Sequence, residues 1–470
     1  MAALITLARL LTPALLLAVG ASPAAARQDD PFGLLPPVAA APCAETGQAA
    51  LGLAEVVESA LCRNPQTREV WANARFQAAQ VGVAQAAYLP GVNATLSAGR
   101  ERTNLAASDS PANRASVELA LSYLLYDFGA RAAALENARQ LFAAAVASRD
   151  SMVQAVFHGA VQAYYQVQAA RAALQAAIQS ERANEESFRA AQARYGVGGA
   201  TPADQLQART AYSQASLVRI QAEGALRVAE GGLAAFIGRD ADQAVPLAPA
   251  ATLAPASAGE QDVTGLIALA RQRRPDLRAA EARVQAARAG AAAAVAGGKP
   301  SLSLGVSGAN SQSGGDASVN SAFLGLTLSV PIFSGYATTY RVRAAEAQVE
   351  ASTAQRDRLD LQVALDVWNA HHNLLTSAQS LRSSADLLAS AEQSERVALG
   401  RYKAGVGSIL DVLTAQSALA GARQQRVQAE FNWNLARATL ALAVGNLDLG
   451  LLQGPSGAGA PATDPSGNKS

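Results

Sequence analysis

Between Tyr336 and Leu399 the chain runs for 64 residues without a proline or a glycine. A helix over that stretch extends ~96 Å at 1.5 Å per residue, far beyond the diameter of a globular domain. In the first half, no proline falls between Pro111 and Pro202. Elements of this length cannot be wrapped around one compact core. Composition agrees, because half of the 470 residues are apolar but 113 of them are alanine. Alanine buries little area per residue and suits long helices packed closely together.

The chain is one unit written twice. Shifting Arg194–Arg209 (RYGVGGATPADQLQAR) by 207 positions lays it on Arg401–Gln416 (RYKAGVGSILDVLTAQ), with six of sixteen residues identical. The same offset superposes Gln221–Glu223 on Gln428–Glu430 and Gly238 on Gly445. At an offset of 210, Asn64-Pro65 answers Arg274-Pro275 and Pro90 answers Pro300. Several matches at nearly one offset mean duplication. The boundaries are a segment 1–26, an extension 27–50, repeats over 51–238 and 263–445, a Pro/Ala-rich linker 239–262, and a Gly/Pro/Ser tail 446–470 whose composition predicts disorder.

Each repeat opens with a helix (Leu53–Tyr88, Val263–Val295) and continues with two alternating stretches. Val92, Ala94, Leu96 and Ala98 alternate with polar or small residues, and Val117, Leu119, Leu121, Tyr123 and Leu125 share one side of the next stretch. In the second repeat Leu302, Leu304 and Val306 alternate with serine and glycine, as do Leu324, Leu326, Leu328 and Val330 with Gly325, Thr327 and Ser329. Period two is the strand signal, and the lengths suit tilted membrane strands of about 9–11 residues. The polar segments Glu101–Ala115 and Ala309–Ser321 are expected to be loops. The long helices follow, each ending at a glycine-bearing turn (Gly196–Thr201, Lys403–Ser408), then return helices Ala203–Ile237 and Ile409–Val444. Along the second long helix, Leu359, Val363, Val367, Ala370 and Leu374 form one seam, and Leu361, Leu365, Trp368 and Leu375 an adjacent one. A two-stranded coiled coil needs one seam. Two seams predict a helix with neighbours on both sides, as in a closed ring of helices.

The segment 1–26 has an early charge (Arg9), an apolar run Leu10–Val19 and an Ala24-Ala25-Ala26 end, the pattern of a secretory signal peptide. Beyond it no uncharged apolar run reaches the ~18–20 residues of a spanning helix, so any crossing of a membrane must use strands. Four strands cannot close a barrel, and open edges are not tolerated in lipid, so the chain must oligomerise. Three copies of four strands give twelve, a size that leaves a lumen. Cys43 and Cys62, the two cysteines, are in an oxidising compartment if the chain is exported; they form either a disulfide or two unpaired small hydrophobes. With 38 basic against 37 acidic residues there is no basic excess of the kind that binds nucleic acid. No enzyme is expected: His371-His372 are adjacent on a helix and point apart, His158 stands alone, Glu185-Glu186 reads as a solvated face, and phosphate-binding or nucleophile motifs are missing. No cofactor is expected either.

The repeat order, the paired Arg-Tyr-x-x-Gly turns, the Asn64-Pro65 and Arg274-Pro275 helix openings, and VPIFSG (Val330–Gly335) with its weaker counterpart LLYDFG (Leu124–Gly129) resemble the TolC family of outer-membrane efflux and secretion channels. The likeness spans roughly Leu51 to Gly445. It implies a mixed α and β membrane protein, internally duplicated and homotrimeric, with a transmembrane β-barrel of four strands per protomer in outer-membrane lipid and a long coiled-coil α-helical barrel in the periplasm. It also implies as partners a periplasmic adaptor (membrane fusion) protein and an inner-membrane ABC or proton-driven transporter. The expected function is passive conduction of exported cargo, with type I secretion of a protein toxin preferred over multidrug efflux. A soluble periplasmic coiled-coil adaptor is the competing class, but it has no use for four strands of lipid-facing periodicity.

Carried over by motif, the resemblance places adaptor-docking tips at Gly196, Val197, Gly198 and Gly199 and at Ala404, Gly405 and Val406. Asp411 takes the place of the first acidic residue at the pore constriction; the second acidic place is Thr414. Asp204 and Tyr402 match two latch positions, and Gly407 stands where the family has a basic latch residue. The resemblance therefore implies a less acidic constriction and a looser or differently made latch. Stabilisation of a helix N-terminus is the other reading of Asp204 and Asp411.

Overall fold

The computed structural model describes residues 30–33, 50–105, 108–243, 245–249, 262–313 and 317–447. The segment 1–26 expected to be a signal peptide, Cys43 and nearly all of the tail 446–470 lie outside these residues. Element order is α1 (Leu53–Arg63), α2 (Pro65–Ala86), β1 (Gly91–Leu105), β2 (Ser108–Tyr126), α3 (Ala130–Gly196), α4 (Pro202–Phe236), α5 (Val263–Arg273), α6 (Pro275–Ala296), β3 (Ser301–Ser313), β4 (Ala317–Ser329), α7 (Ala337–Lys403) and α8 (Ile409–Val444). The long helices α3 and α7 have 67 residues each. No described helix is long and apolar enough to cross a membrane.

The opening helix of each repeat is two helices, not the single one expected over Leu53–Tyr88 and Val263–Val295. Proline disfavours helical backbone in the residue before it, and Asn64 (ψ 130°) and Arg274 (ψ 123°) are accordingly extended. The two segments expected as loops differ as well. β1 runs on to Leu105 and β2 begins at Ser108, while β3 reaches Ser313 and β4 starts at Ala317. Polar residues continue a ladder as well as apolar ones do, because the ladder is made by backbone amides.

The chain divides into two compact units. One contains the sheet together with parts of the adjoining helices, Arg75–Phe142 and Ala289–Ala345. Its four strands are antiparallel in the order β1-β2-β3-β4. Register aligns like with like: Val92, Leu121, Val306 and Leu324 form one row across all four strands, and Tyr123, Leu304 and Leu326 share another. The next row over, Asn93, Ala120, Ser307 and Phe323, lies on the opposite face. The part of the first face nearer the helices is therefore apolar, with Val92, Leu119, Leu324, Leu326 and Leu328 each more than half exposed, and farther out the row of Leu96 and Val117 continues into Asn310 and Asn320. The strand-to-helix corners are aromatic. Tyr126 packs edge-on against Phe128, and Phe333 against Tyr336. Aromatic rings at the ends of lipid-facing strands sit at headgroup level.

The other unit is helical, Ala143–Arg288 and Glu346 onward with α1 and the start of α2. Its main core joins α1 (Val56, Val57, Ala60), α3 (Val156, Val161, Val167), α4 (Leu233) and Ile237 just after α4. The segment read as the start of a linker is packed into it. Leu51 bridges Leu247 in parallel, and Val245 and Leu247 are buried. The second repeat builds a smaller core from α5 (Ala270), α7 (Val363, Val367, Ala370) and α8 (Ala443, Val444). Thus Val363, Val367 and Ala370 of the first seam are buried, with Leu359 and Leu374 half-buried at its ends. In the second seam Leu375 is half-buried, but Leu361, Leu365 and Trp368 are 70%, 50% and 49% exposed.

Two glycines close the cores in matching ways. Gly238 and Gly445 follow the return helices at φ +75°, the left-handed value that side chains resist. A Cβ on Gly238 would stand 2.8 Å from the Arg63 carbonyl oxygen, and one on Gly445 3.2 Å from the backbone of Arg273 and Arg274. Each return helix therefore ends pressed against the proline break of its own repeat. At the first break Asn64 donates to the Phe236 carbonyl (3.0 Å). At the second, Arg274 pairs with Asp276 (2.6 Å) and with Asp366 of α7 (2.9 Å).

Gly238→Ala is expected to destabilise the helical unit by at least ~1–2 kcal/mol from the left-handed backbone alone. Gly224→Ala, mid-helix with open space around its Cβ position, is expected to stabilise it by up to ~1 kcal/mol. Thermal loss of helical circular dichroism checks both, as shifts of opposite sign.

Candidate functional site

The two turns joining α3 to α4 and α7 to α8 carry most of the residues singled out above, and the repeat builds them alike. After α3, Gly198 takes φ +74° and its amide bonds the Tyr195 carbonyl, while the Gly199 amide reaches the Arg194 carbonyl. After α7, Gly405 takes φ +80°, its amide bonds the Tyr402 carbonyl, and the Val406 amide reaches the Arg401 carbonyl. Each left-handed glycine thus reverses the chain and satisfies the last carbonyls of its helix. Val197 and Val406 stand out at the apices, 85% and 68% exposed. Gly196, Gly198, Gly199, Ala404 and Gly405 are exposed around them.

Each return helix starts with a capping box. Thr201 receives the Asp204 amide (3.2 Å), and the Asp204 carboxylate takes the Thr201 amide (2.9 Å), with Pro202 in the first turn. Ser408 and Asp411 repeat this at 3.1 and 3.2 Å. Two orphan amides are satisfied at each start. Both aspartates therefore stabilise helix N-termini. Asp411 is exposed nonetheless, as is Thr414 one turn on. Hydrogen bonds from Ser408, the backbone amide first and the hydroxyl second, hold the Asp411 carboxyl below its ordinary 3.8, and the Arg401 charge adds to this.

Within the protomer the two matched latch positions do not meet. Tyr402 is buried at 6% exposure in a small core with Ala191, Ala208, Ile409 and Val412. Its hydroxyl has no hydrogen-bond partner, and the Asp204 carboxylate is engaged with Thr201, so no bond joins the two latch residues. The contact that does join the coils comes from Arg194 in the last turn of α3. Its guanidinium lies 4.1 Å over the Tyr402 ring and donates to the Tyr402 carbonyl at 2.7 Å. That combines a cation–π contact with a charge-assisted cap on α7. Arg194 belongs to the Arg-Tyr-x-x-Gly motif but is not among the residues that the resemblance marks as tip, constriction or latch. Deeper in the bundle, Gln416 of α8 donates to the Ser187 hydroxyl (3.0 Å) and the Ala183 carbonyl (3.3 Å) of α3, with Ser187 and Gln416 both buried.

Gly407 is a close-approach glycine. A Cβ there would stand 3.0 Å from Arg401 Cβ and 3.1 Å from the Tyr402 amide nitrogen. The turn closes too tightly over the end of α7 to admit a long basic side chain without moving. Of the remaining candidates, His158 bonds Thr439 across α3 and α8 (3.0 Å), and burial holds its imidazole below the usual value. His371 and His372 meet edge to face within α7. Cys62 lies on α1, and no described cysteine is free.

Gly407→Arg is expected to loosen the turn, seen as faster hydrogen exchange and proteolysis over 403–411. Ser408→Ala is expected to cost the α8 start ~1 kcal/mol. With its folded-state pKa lowered, Asp411 stabilises the turn above pH 3.8, and that contribution is lost as pH falls below this value. Amide exchange at the α8 start is therefore expected to be flat from neutrality to about pH 4, after correction for intrinsic rates, and protection to drop below it.

Comparison with known proteins places this arrangement. The model of the family described as "outer membrane efflux protein" matches the chain twice, over residues 56–239 and 266–446. Protein CyaE of Bordetella pertussis is 31% identical over 413 residues, 86% of each chain. Outer membrane efflux protein BepC of Brucella suis is 27% identical over 408 residues, 86% of this chain and 87% of that one. Among solved structures, the outer membrane protein VceC of Vibrio cholerae superposes with a TM-score of 0.74 at 21% identity, covering 84% of this chain and 96% of its own.

Proposed function

The chain belongs to the outer membrane efflux protein family, and from that premise we propose how it works as an outer-membrane channel with a periplasmic helical barrel. Segment 1–26 directs export and is removed. Three copies assemble, and their sheets close a barrel of twelve strands whose apolar face meets lipid. The observation that carries this reading is the register of the sheet. It sets one apolar row beside another across four strands and leaves β1 and β4 as open edges, while no described helix is long and apolar enough to span a membrane. In lipid those edges need partners, and a second copy supplies them.

The exposed turns are the docking tips for a periplasmic adaptor, through Gly196–Gly199 and Ala404–Val406, and an inner-membrane ABC or proton-driven transporter delivers the cargo. Three Asp411 carboxylates converge on the axis as a constriction that favours cations, with Thr414 supplying no second ring of charge. Opening moves the inner coils outward and needs no chemistry on the cargo. The Cys43–Cys62 pair is proposed as a disulfide tying the extension 27–50 to α1.

The preferred cargo is a protein, through type I secretion, because glycine at 407 and the two-cysteine N-terminus resemble dedicated secretion members. Small-molecule efflux is the second reading, and the efflux names of relatives such as BepC favour it. Deleting the gene and comparing the secreted proteins with drug susceptibility separates the two: loss of one secreted protein at unchanged susceptibility is expected, and the reverse overturns the preference. Outer membranes run on a detergent gel are expected to show a trimer-sized band that heating converts to monomer. Protein confined to the soluble periplasmic fraction would refute the channel. In planar bilayers Asp411→Asn is expected to lower cation preference, read as a reversal potential shifted toward zero.

A further inference from the structure

The arginine–tyrosine clamp at the turns exists twice in the sequence and is made once in the protomer. Arg194 and Arg401 are related by the 207-residue repeat, as are Tyr195 and Tyr402. Arg194 grips Tyr402, whose carbonyl then accepts two donors, the guanidinium at 2.7 Å and the Gly405 amide at 3.0 Å. A carbonyl oxygen has two lone pairs, so that site is full. The Tyr195 carbonyl accepts the Gly198 amide at 3.0 Å and no other described donor. Tyr195 is 44% exposed, against 6% for Tyr402. Arg401 is exposed; its charge acts on Asp411 of its own turn, but its guanidinium makes no hydrogen bond or ion pair among the described residues.

The layer nearer the bundle interior has the same asymmetry. Ser187 and Gln416 bond each other, buried, between α3 and α8. Their repeat counterparts are Ser394 and Arg209, again an acceptor and a donor, and both are exposed. Two coils of related sequence, α3 with α4 and α7 with α8, are thus joined by one set of contacts. The complementary set faces outward, Tyr195 and Arg209 on the first coil and Arg401 and Ser394 on the second. Contacts of this head-to-tail kind repeat from copy to copy until a ring closes.

We propose that the occupant of this face is a second copy of the chain: Arg401 of one protomer lies over the partner's Tyr195 and donates to its carbonyl. Three clamps within protomers and three between them then lock the turns into a closed ring. The inference rests on the trimeric channel reading and adds the contact that seals the tips. It also accounts for closure with glycine at 407, since the basic group comes from the last turn of each long helix instead of from the loop.

The test is a full-length Tyr195→Cys/Arg401→Cys variant in outer-membrane vesicles, treated with a short bismaleimide and boiled before electrophoresis. Most of the protein is expected to shift from monomer to covalent dimer and trimer, while wild type and each single variant stay monomeric. A heat-sensitive trimer that gives no covalent dimer overturns the clamp and leaves the channel standing. If untreated wild type shows no heat-sensitive trimer, the channel reading itself fails. In planar bilayers Arg401→Ala and Arg194→Ala are each expected to raise the conductance of the closed channel several-fold, with the trimer band unchanged. Unchanged closed conductance in Arg401→Ala alone overturns the proposal.

Discussion

A four-stranded sheet has two edges, and lipid offers their amides and carbonyls nothing to bond. Each unsatisfied group costs several kcal/mol in hydrocarbon. The sheet here has its apolar residues in register across all four strands and ends in β1 and β4. One chain therefore carries a lipid-facing surface that it cannot complete. The helical unit is incomplete in its own way: the centre of one seam of α7 is buried within the protomer, while Leu361, Leu365 and Trp368 of the other stay exposed. Family membership and these two unfinished surfaces lead to the same solution, several copies sharing one wall.

Duplication explains how a single chain supplies so much of that wall. The repeat preserves backbone devices, such as the left-handed glycines at the turns and at the ends of the return helices and the capping boxes of Thr201 and Ser408. It varies the side chains that meet across them. Asn64 caps a helix end where Arg274 forms ion pairs, and Gln416 meets Ser187 where the counterpart is Arg209. Conserving the frame while varying the contacts lets two similar coils sit side by side with distinct faces.

Much of this was legible from residue order. Period-two patterning located all four strands, and the 207-residue offset located both turns. The proline breaks were hidden because apolar spacing continues through Asn64-Pro65 and Arg274-Pro275 as if the helix did. The outer parts of β1 to β4 were hidden because their side chains carry no alternation and only the backbone pairs. Val245 and Leu247 read as linker since their burial depends on a bridge to Leu51, nearly two hundred positions earlier. Gly407 reads as a missing charge, yet the structure shows a position crowded by Arg401 and Tyr402. Close approach of backbone leaves no mark in a single sequence. Arg194 was visible as a motif residue, but its grip on Tyr402 needs the two long helices brought together.

The most direct measurement is the number of chains in one particle. Native mass spectrometry of the protein extracted from outer membranes in mild detergent is expected to give a mass of three mature chains. A particle of one chain would leave the edges of the sheet exposed, and one of two chains would close at eight strands, a barrel filled by side chains; either would contradict the account.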